Sequence, residues 1–253
     1  MFALTDRTAI VTGAGSRHGI GRATAVALAR QGADVAVCDV KQEGVDETCD
    51  AVRQLGRRSL GFVASVTEAD QVQRMVDAVA AAWGRVDILV NNAGITQPVK
   101  IGDTSPEDWD RIIDVNMKGV FLCSKAVVPV MARQRYGRII NLSSVSAKRG
   151  GGVFGGAHYS ASKAGVLGFA KALAREVAAD GITVNSVAPG LVITDIWGGV
   201  GNEAEQRRLA EAIPAGRLGR PEDVAALICF LASEEAGYIT GEDVDINGGS
   251  HID

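Results

Sequence analysis

Short apolar runs alternate with helix-patterned stretches along the whole chain, and the runs themselves are nearly continuous in apolar character. That spacing predicts strands over Thr8–Thr12, Asp34–Cys38, Ser59–Val63, Val86–Val90, Arg138–Leu142, Ile182–Val187 and Val244–Ile246. Between them it predicts helices over Gly21–Arg30, Gly44–Leu55, Ala69–Trp83, Pro106 to about Arg133, Tyr159–Ala179 and Pro221–Leu231. Runs that do not alternate belong to strands covered on both faces. Repeated strand–helix–strand units need crossover connections, which give a parallel, doubly wound α/β sheet with helices on both faces. No linker or internal repeat interrupts the pattern, so residues 1–253 read as a single domain.

Composition narrows the function classes. A net charge of −4 without a basic block argues against nucleic acid as a partner. The densest basic run, Arg133 to Arg138, reads as a solvated helix end and turn. Cys38, Cys49, Cys123 and Cys229 are far apart and form no CxxC pair, which fits a reduced, cytoplasmic protein. Three histidines and no HExxH or Cys/His cluster give no expectation of a metal. No charged leader precedes an apolar segment, and no apolar stretch is read as long enough to span a membrane.

The turn after the first predicted strand is Thr12-Gly-Ala-Gly-Ser-Arg-His-Gly-Ile-Gly21. Glycines let backbone approach a pyrophosphate, and a helix N-terminus offers it free N–H groups. Gly13, Gly15, Ser16, Arg17, Gly19 and Ile20 are therefore candidate cofactor contacts. Asp39 ends the second strand, about 20 residues past the glycines, where a carboxylate accepts hydrogen bonds from the adenosine ribose hydroxyls. It would repel the 2′-phosphate of NADP, so NAD is favoured, with Arg17 able to soften the preference. Asn92, Ala93 and Gly94 close the fourth strand at the expected switch point of the sheet.

Tyr159 and Lys163 stand four apart, on one face of a helix. Free tyrosine titrates near ~10. A cation ~4 Å away at an effective dielectric of ~20 favours the phenolate by roughly 4 kcal/mol. That predicts a phenol lowered toward working pH, where a general acid/base is most useful.

In this order the residues resemble the short-chain dehydrogenase/reductase family, in its short single-domain branch, over essentially the whole chain. The motifs are Thr12-Gly13 through Gly19-Ile20-Gly21, Asn91-Asn-Ala-Gly94, Asn116, Ser143-Ser144, Tyr159 with Lys163, Pro189-Gly190 followed by Thr194, and the C-terminal Tyr238-Ile-Thr-Gly241 and Asp245-Ile-Asn-Gly-Gly249. The resemblance implies a Rossmann-like fold and a catalytic tetrad. Tyr159 would be the acid/base, and Lys163 would hold the nicotinamide ribose. Ser144 would orient the substrate oxygen, and Asn116 would hold a water on the proton path. It further implies that Pro189, Gly190, Ile193 and Thr194 hold the nicotinamide end and that Val66 lines the adenine pocket. Substrate contacts are expected from Ser144, Ser146, Tyr159 and Trp197, with a flexible flap over 191–217.

Three departures stand out. The glycine loop carries two more residues than the family pattern, so Arg17 and His18 either meet phosphate or bulge outward. Ser65 stands where many relatives have an adenine-reading aspartate. The Ser144–Tyr159 segment is long and glycine-rich. The expected activity is NAD-linked hydride transfer at the secondary alcohol or ketone of a small sugar, polyol or hydroxy acid. The alternatives are a 3-oxoacyl-(acyl-carrier-protein) reductase and a non-catalytic dinucleotide sensor. Arg135 fits one carrier-docking position of the acyl reductases, whereas Asp180 gives the other the wrong sign. A homotetramer packed through the helices around Val120–Met131 and Val166–Val177 is implied, against a monomer with wide core-facing stripes.

Overall fold

The computed structural model describes residues 2–151, 155–195 and 203–252. The first half runs β1 (Thr8–Thr12), α1 (Ile20–Arg30), β2 (Asp34–Asp39), α2 (Gln42–Arg53), β3 (Ser59–Val63), α3 (Ala69–Trp83) and β4 (Ile88–Asn91). The second half runs α4 (Pro106–Ile113), α5 (Gly119–Gln134), β5 (Gly137–Leu142), α6 (Ser146–Arg149) and α7 (Ala157–Val177). It ends with β6 (Ile182–Pro189), α8 (Glu203–Glu211), α9 (Pro221–Ala232) and β7 (Asp243–Ile246). Among the described residues the strands form one sheet in the order β3-β2-β1-β4-β5-β6-β7, with every pairing parallel. The chain changes direction between β1 and β4, so the crevice at that switch point is where a ligand fits.

Both faces of the central strands are covered. Val11, Val35, Val37 and Val90 point to α1, α2 and α9, where Leu28, Val52 and Ile228 meet them. Ile10, Ala36, Leu89 and Ile139 point to the other side, against Met75, Val127 and Ala174 of α3, α5 and α7. The edges differ from the expectation of full coverage. After the buried Ser59, β3 alternates between half-buried and exposed positions, and β7 is half-buried throughout. Each has a neighbour on one side only.

Several boundaries shift for local reasons. β4 begins at Ile88 rather than Val86, because the Gln134 side-chain amide takes both the Val86 N–H and its carbonyl (2.9 Å each). The helix starting at Pro106 is capped as its sequence predicts, with Ser105 Oγ accepting the Asp108 N–H at 3.0 Å. It reaches Gln134 through a π-helical turn at Asp114–Lys118. The resulting Pro106–Gln134 helix is long and apolar enough, by length and composition, to cross a membrane. This corrects the reading that no stretch reaches that length. Its inner face, including Cys123, Val127 and Met131, is packed in the core.

The basic run is also corrected. Arg138 is buried in β5 and donates to the Ser233 carbonyl (3.2 Å). Its guanidinium and that of Arg7 lie over Tyr136 at 4.3 and 3.9 Å from the ring centroid. The four cysteines are unpaired and buried, and burial pushes the Cys38 thiol up to about 12.

Candidate active site

A crevice of about 540 Å³ opens at the carboxyl ends of β1, β4, β5 and β6, within the range of small-molecule sites. Its near wall is the glycine loop. Thr12 organises the switch point: its Oγ accepts the Asn92 and Ala93 N–H groups (3.1 Å each). The Asn92 amide returns two bonds, to the Thr12 carbonyl (2.9 Å) and the Gly13 carbonyl (2.8 Å). Gly13 lies at φ +63°, and a Cβ there would stand 2.6 Å from Ala93 Cα. Loop and strand end are thus flush, as close backbone approach to a pyrophosphate requires. Asp39 lines the same wall, accepting the Gly15 N–H at 2.9 Å through Oδ2.

The far end is built from buried side chains. Lys163 is almost fully buried in α7 and donates to the Leu142 carbonyl. Its Nζ lies 5.9 Å from the Tyr159 ring centroid. Ser144, at the end of β5, accepts the Ser146 N–H at 3.1 Å. Gly94 closes the floor, where a Cβ would stand 3.3 Å from both Lys163 Nζ and Asn116 Oδ1. Ser144, Tyr159, Lys163 and Asp39 therefore face one space.

The protonation pattern corrects one expectation. Burial pushes the Tyr159 phenol above its usual value, and the neighbouring Ser144 hydroxyl pulls the other way. Burial also draws the Lys163 ammonium down from 10.5 to about 8. Desolvation is the larger influence on both groups, which helix spacing alone does not reveal.

Asn116 lies behind the crevice, on the π turn. It does not bond its own backbone. Its Oδ1 accepts the Ile95 N–H (2.8 Å), and its Nδ2 donates to the Ile95 carbonyl (2.9 Å) and to Ser162 Oγ (3.1 Å). π turns concentrate at functional sites, and this one fastens the loop after β4 to α7.

The glycine-loop residues Gly13, Gly15, Ser16, Arg17, Gly19 and Ile20 all line the crevice. So do Asn92, Gly94, Ser146, Pro189, Gly190 and Thr194. Ala93 and Ile193 are not among the lining residues: their N–H groups are taken by Thr12 Oγ (3.1 Å) and by the Gly219 carbonyl (3.0 Å). Val66 is not among the lining residues; it packs against Gly119 at the start of α5. Trp197 lies outside the described residues, as does the 196–202 part of the flap. The flap's later part carries the helix α8, where the sequence pattern predicts no helix. The two additional loop residues take protein partners. Arg17 pairs with Glu47 of α2 (2.8 Å), and His18 pairs with Asp195 (3.0 Å).

Two contributors escaped sequence reasoning. Gly44 lets α2 press on the glycine loop, since a Cβ there would stand 1.9 Å from the Gly15 carbonyl oxygen. Ser162 links Asn116 to the Tyr159 carbonyl, donating at 2.7 Å. Its place inside Tyr159-Ser-Ala-Ser-Lys163 was the available signal; Gly44 had none, being one glycine at a helix start.

Known proteins match this arrangement along its whole length. A family model described as enoyl-(acyl carrier protein) reductase matches residues 13–251. An uncharacterized short-chain type dehydrogenase/reductase of Sinorhizobium fredii is 45% identical over 250 residues, covering 98% of this chain and 99% of that protein. A 3-oxoacyl-(acyl-carrier-protein) reductase of Escherichia coli is 44% identical over 246 residues, covering 97% and 98%. The crystal structure of a short-chain type dehydrogenase/reductase from Mycobacterium marinum superposes with a TM-score of 0.90 at 36% identity, covering 100% of this chain and 98% of that one.

Proposed function

The chain belongs to the short-chain dehydrogenase/reductase family, and from that premise we propose that it is an NAD(H)-dependent oxidoreductase of small secondary alcohols and ketones. The family is one of oxidoreductases acting on CH–OH or keto groups with nicotinamide cofactors. The finer reading is carried by one observation: Ser144, Tyr159 and Lys163 line one end of a crevice whose other end holds Asp39.

The bound nicotinamide would supply or accept the hydride. In the reducing direction the Tyr159 hydroxyl gives its proton to the carbonyl oxygen, and Ser144 orients that oxygen by hydrogen bonding. A phenol raised by burial stays protonated and so serves as the acid. Lys163, with its neighbour Gly94 leaving room, is placed to hold the ribose hydroxyls. Thr194, buried beside the crevice, is placed for the carboxamide.

NAD is supported by Asp39, a carboxylate at the end of β2 beside the glycine loop, whose charge would repel the 2′-phosphate of NADP. Glu47 engages Arg17 and also Arg22 (3.0 Å), so the loop arginine is turned to α2. The substrate class is a small hydroxyl compound such as a sugar, polyol or hydroxy acid. A second reading, 3-oxoacyl thioester reduction, is favoured by the Escherichia coli relative. Against carrier docking, Arg135 is paired with Asp180 at 3.1 Å. A homotetramer is supported by Trp109, Met117 and Phe121, which are 36–43% exposed along α4 to α5.

The test is initial-rate absorbance at the nicotinamide band, with NADH and NADPH, against carbonyl forms of sugars, polyols and hydroxy acids and against 3-oxoacyl thioesters. NADH oxidation with a small ketone supports the reading. NADPH oxidation with thioesters selects the second reading, and NADH binding without turnover defeats catalysis.

A further inference from the structure

We propose that His18 and Asp195 are positioning residues that fasten the two walls of the crevice over the pyrophosphate of a bound dinucleotide, and so set its release rate. The Asp195 carboxylate gathers three donors from the glycine loop. Its Oδ2 accepts Ser16 Oγ (2.7 Å) and the His18 N–H (3.0 Å), and its Oδ1 meets His18 Nδ1 (3.0 Å). These contacts join positions 177 to 179 residues apart in sequence.

Each wall is anchored independently. On one side, residues 13–19 are pinned by Asn92 and pressed by Gly44. On the other, Asp195 directly follows the buried Thr194. That segment is tied to Gly219, which accepts the Ile193 N–H (3.0 Å) and donates to the Leu191 carbonyl (2.9 Å). Ser16 and Asp195 both line the crevice, whereas the His18 side chain is largely exposed on its outer rim. The bonds therefore cross the mouth rather than fill the interior.

The longer glycine loop explains why this chain has such a fastening. Its two additional residues have separate partners, Arg17 reaching α2 and His18 reaching across the crevice. The proposal rests on the crevice being a dinucleotide site, with the pyrophosphate at the N-terminus of α1. A dinucleotide seated there cannot leave past the mouth until the Asp195 contacts part. The competing reading is that the carboxylate merely occupies donors a phosphate would use. It predicts the opposite sign, because removing the carboxylate would then tighten binding.

Release of NADH, followed by stopped-flow fluorescence after dilution into excess NAD, separates the two. The full-length protein is compared with Asp195→Ala, His18→Ala and the double variant. Asp195→Ala is expected to release NADH about tenfold faster and His18→Ala about threefold faster. The double variant should be no faster than Asp195→Ala, because both changes break one linkage. Melting temperatures should stay together, since both side chains are substantially exposed. Unchanged release, slower release, or strictly additive effects would each overturn the proposal. A wild-type protein that binds neither NADH nor NADPH would reject the dinucleotide reading itself, and the fastening with it.

Discussion

The two ends of the crevice are made of different material. The glycine-loop end is backbone: Gly13 and Gly15, with Gly44 behind them, lie where side chains would collide with neighbouring chain. The reacting end is side chain: Lys163 is buried beside a half-buried Tyr159, and desolvation moves both of their protonation equilibria. Backbone recognition depends on shape and tolerates changes in pH. Side-chain chemistry depends on the local dielectric, and so on everything packed around it.

Substitutions can test that contrast. Lys163→Met keeps most of the buried stem but removes the ammonium beneath Tyr159. Turnover is expected to fall about 10³-fold, within the range of acid/base effects, while the melting temperature holds. A fall of less than about tenfold would mean that the reacting end does not depend on this charge.

The pH profile probes the same end without mutation. Lys163 loses its proton as pH rises through about 8, and the raised Tyr159 phenol remains protonated there. Carbonyl reduction should therefore decline above pH about 8 by up to about tenfold per unit. The stability sign is opposite. Between pH about 8 and 10.5 the unfolded chain holds more protons at this lysine than the folded one, so its contribution to stability rises with pH across that window. A reduction rate that stays level to pH 9.5 would break the assignment.

At the other end, Asp39→Ala should shift relative use toward NADPH by about tenfold, read as the ratio of kcat/KM values, each tenfold being about 1.4 kcal/mol. Glu47→Gln, which frees Arg17 and Arg22, should move the same ratio by about threefold. Gly44→Ala should weaken NADH binding severalfold, through about 1–3 kcal/mol of crowding on the loop, with little change in kcat. Were Gly44→Ala to alter the pH profile instead, the separation of the two ends would not hold.

The same contrast explains what the sequence made legible. A turn that needs glycines writes them into the chain, so the glycine-loop wall of the crevice was readable from Thr12 to Gly21 and from Asp39. The parallel, doubly wound sheet followed from apolar runs and crossover helices. The direction of the Tyr159 shift was not readable, because helix spacing gives a separation but not the burial around it. The Val66 placement failed for a related reason: a valine in a strand-end loop has two sides, and the sequence does not say which one Gly119 covers. Arg138 was misread because charge alone signals solvent, whereas here Tyr136 and the Ser233 carbonyl receive it. The pairing of Arg17 and His18 depended on Glu47 and Asp195, partners remote in sequence.

Single-turnover oxidation of bound NADH, followed at the nicotinamide absorbance band with the best ketone from the panel, tests hydride transfer under Tyr159 most directly. Wild-type protein should bind NADH and lose the band on mixing. The Tyr159→Phe variant should bind NADH as tightly and keep the band for at least about 10² times longer. Decay in the variant at the wild-type rate would place the proton donor elsewhere and contradict the account.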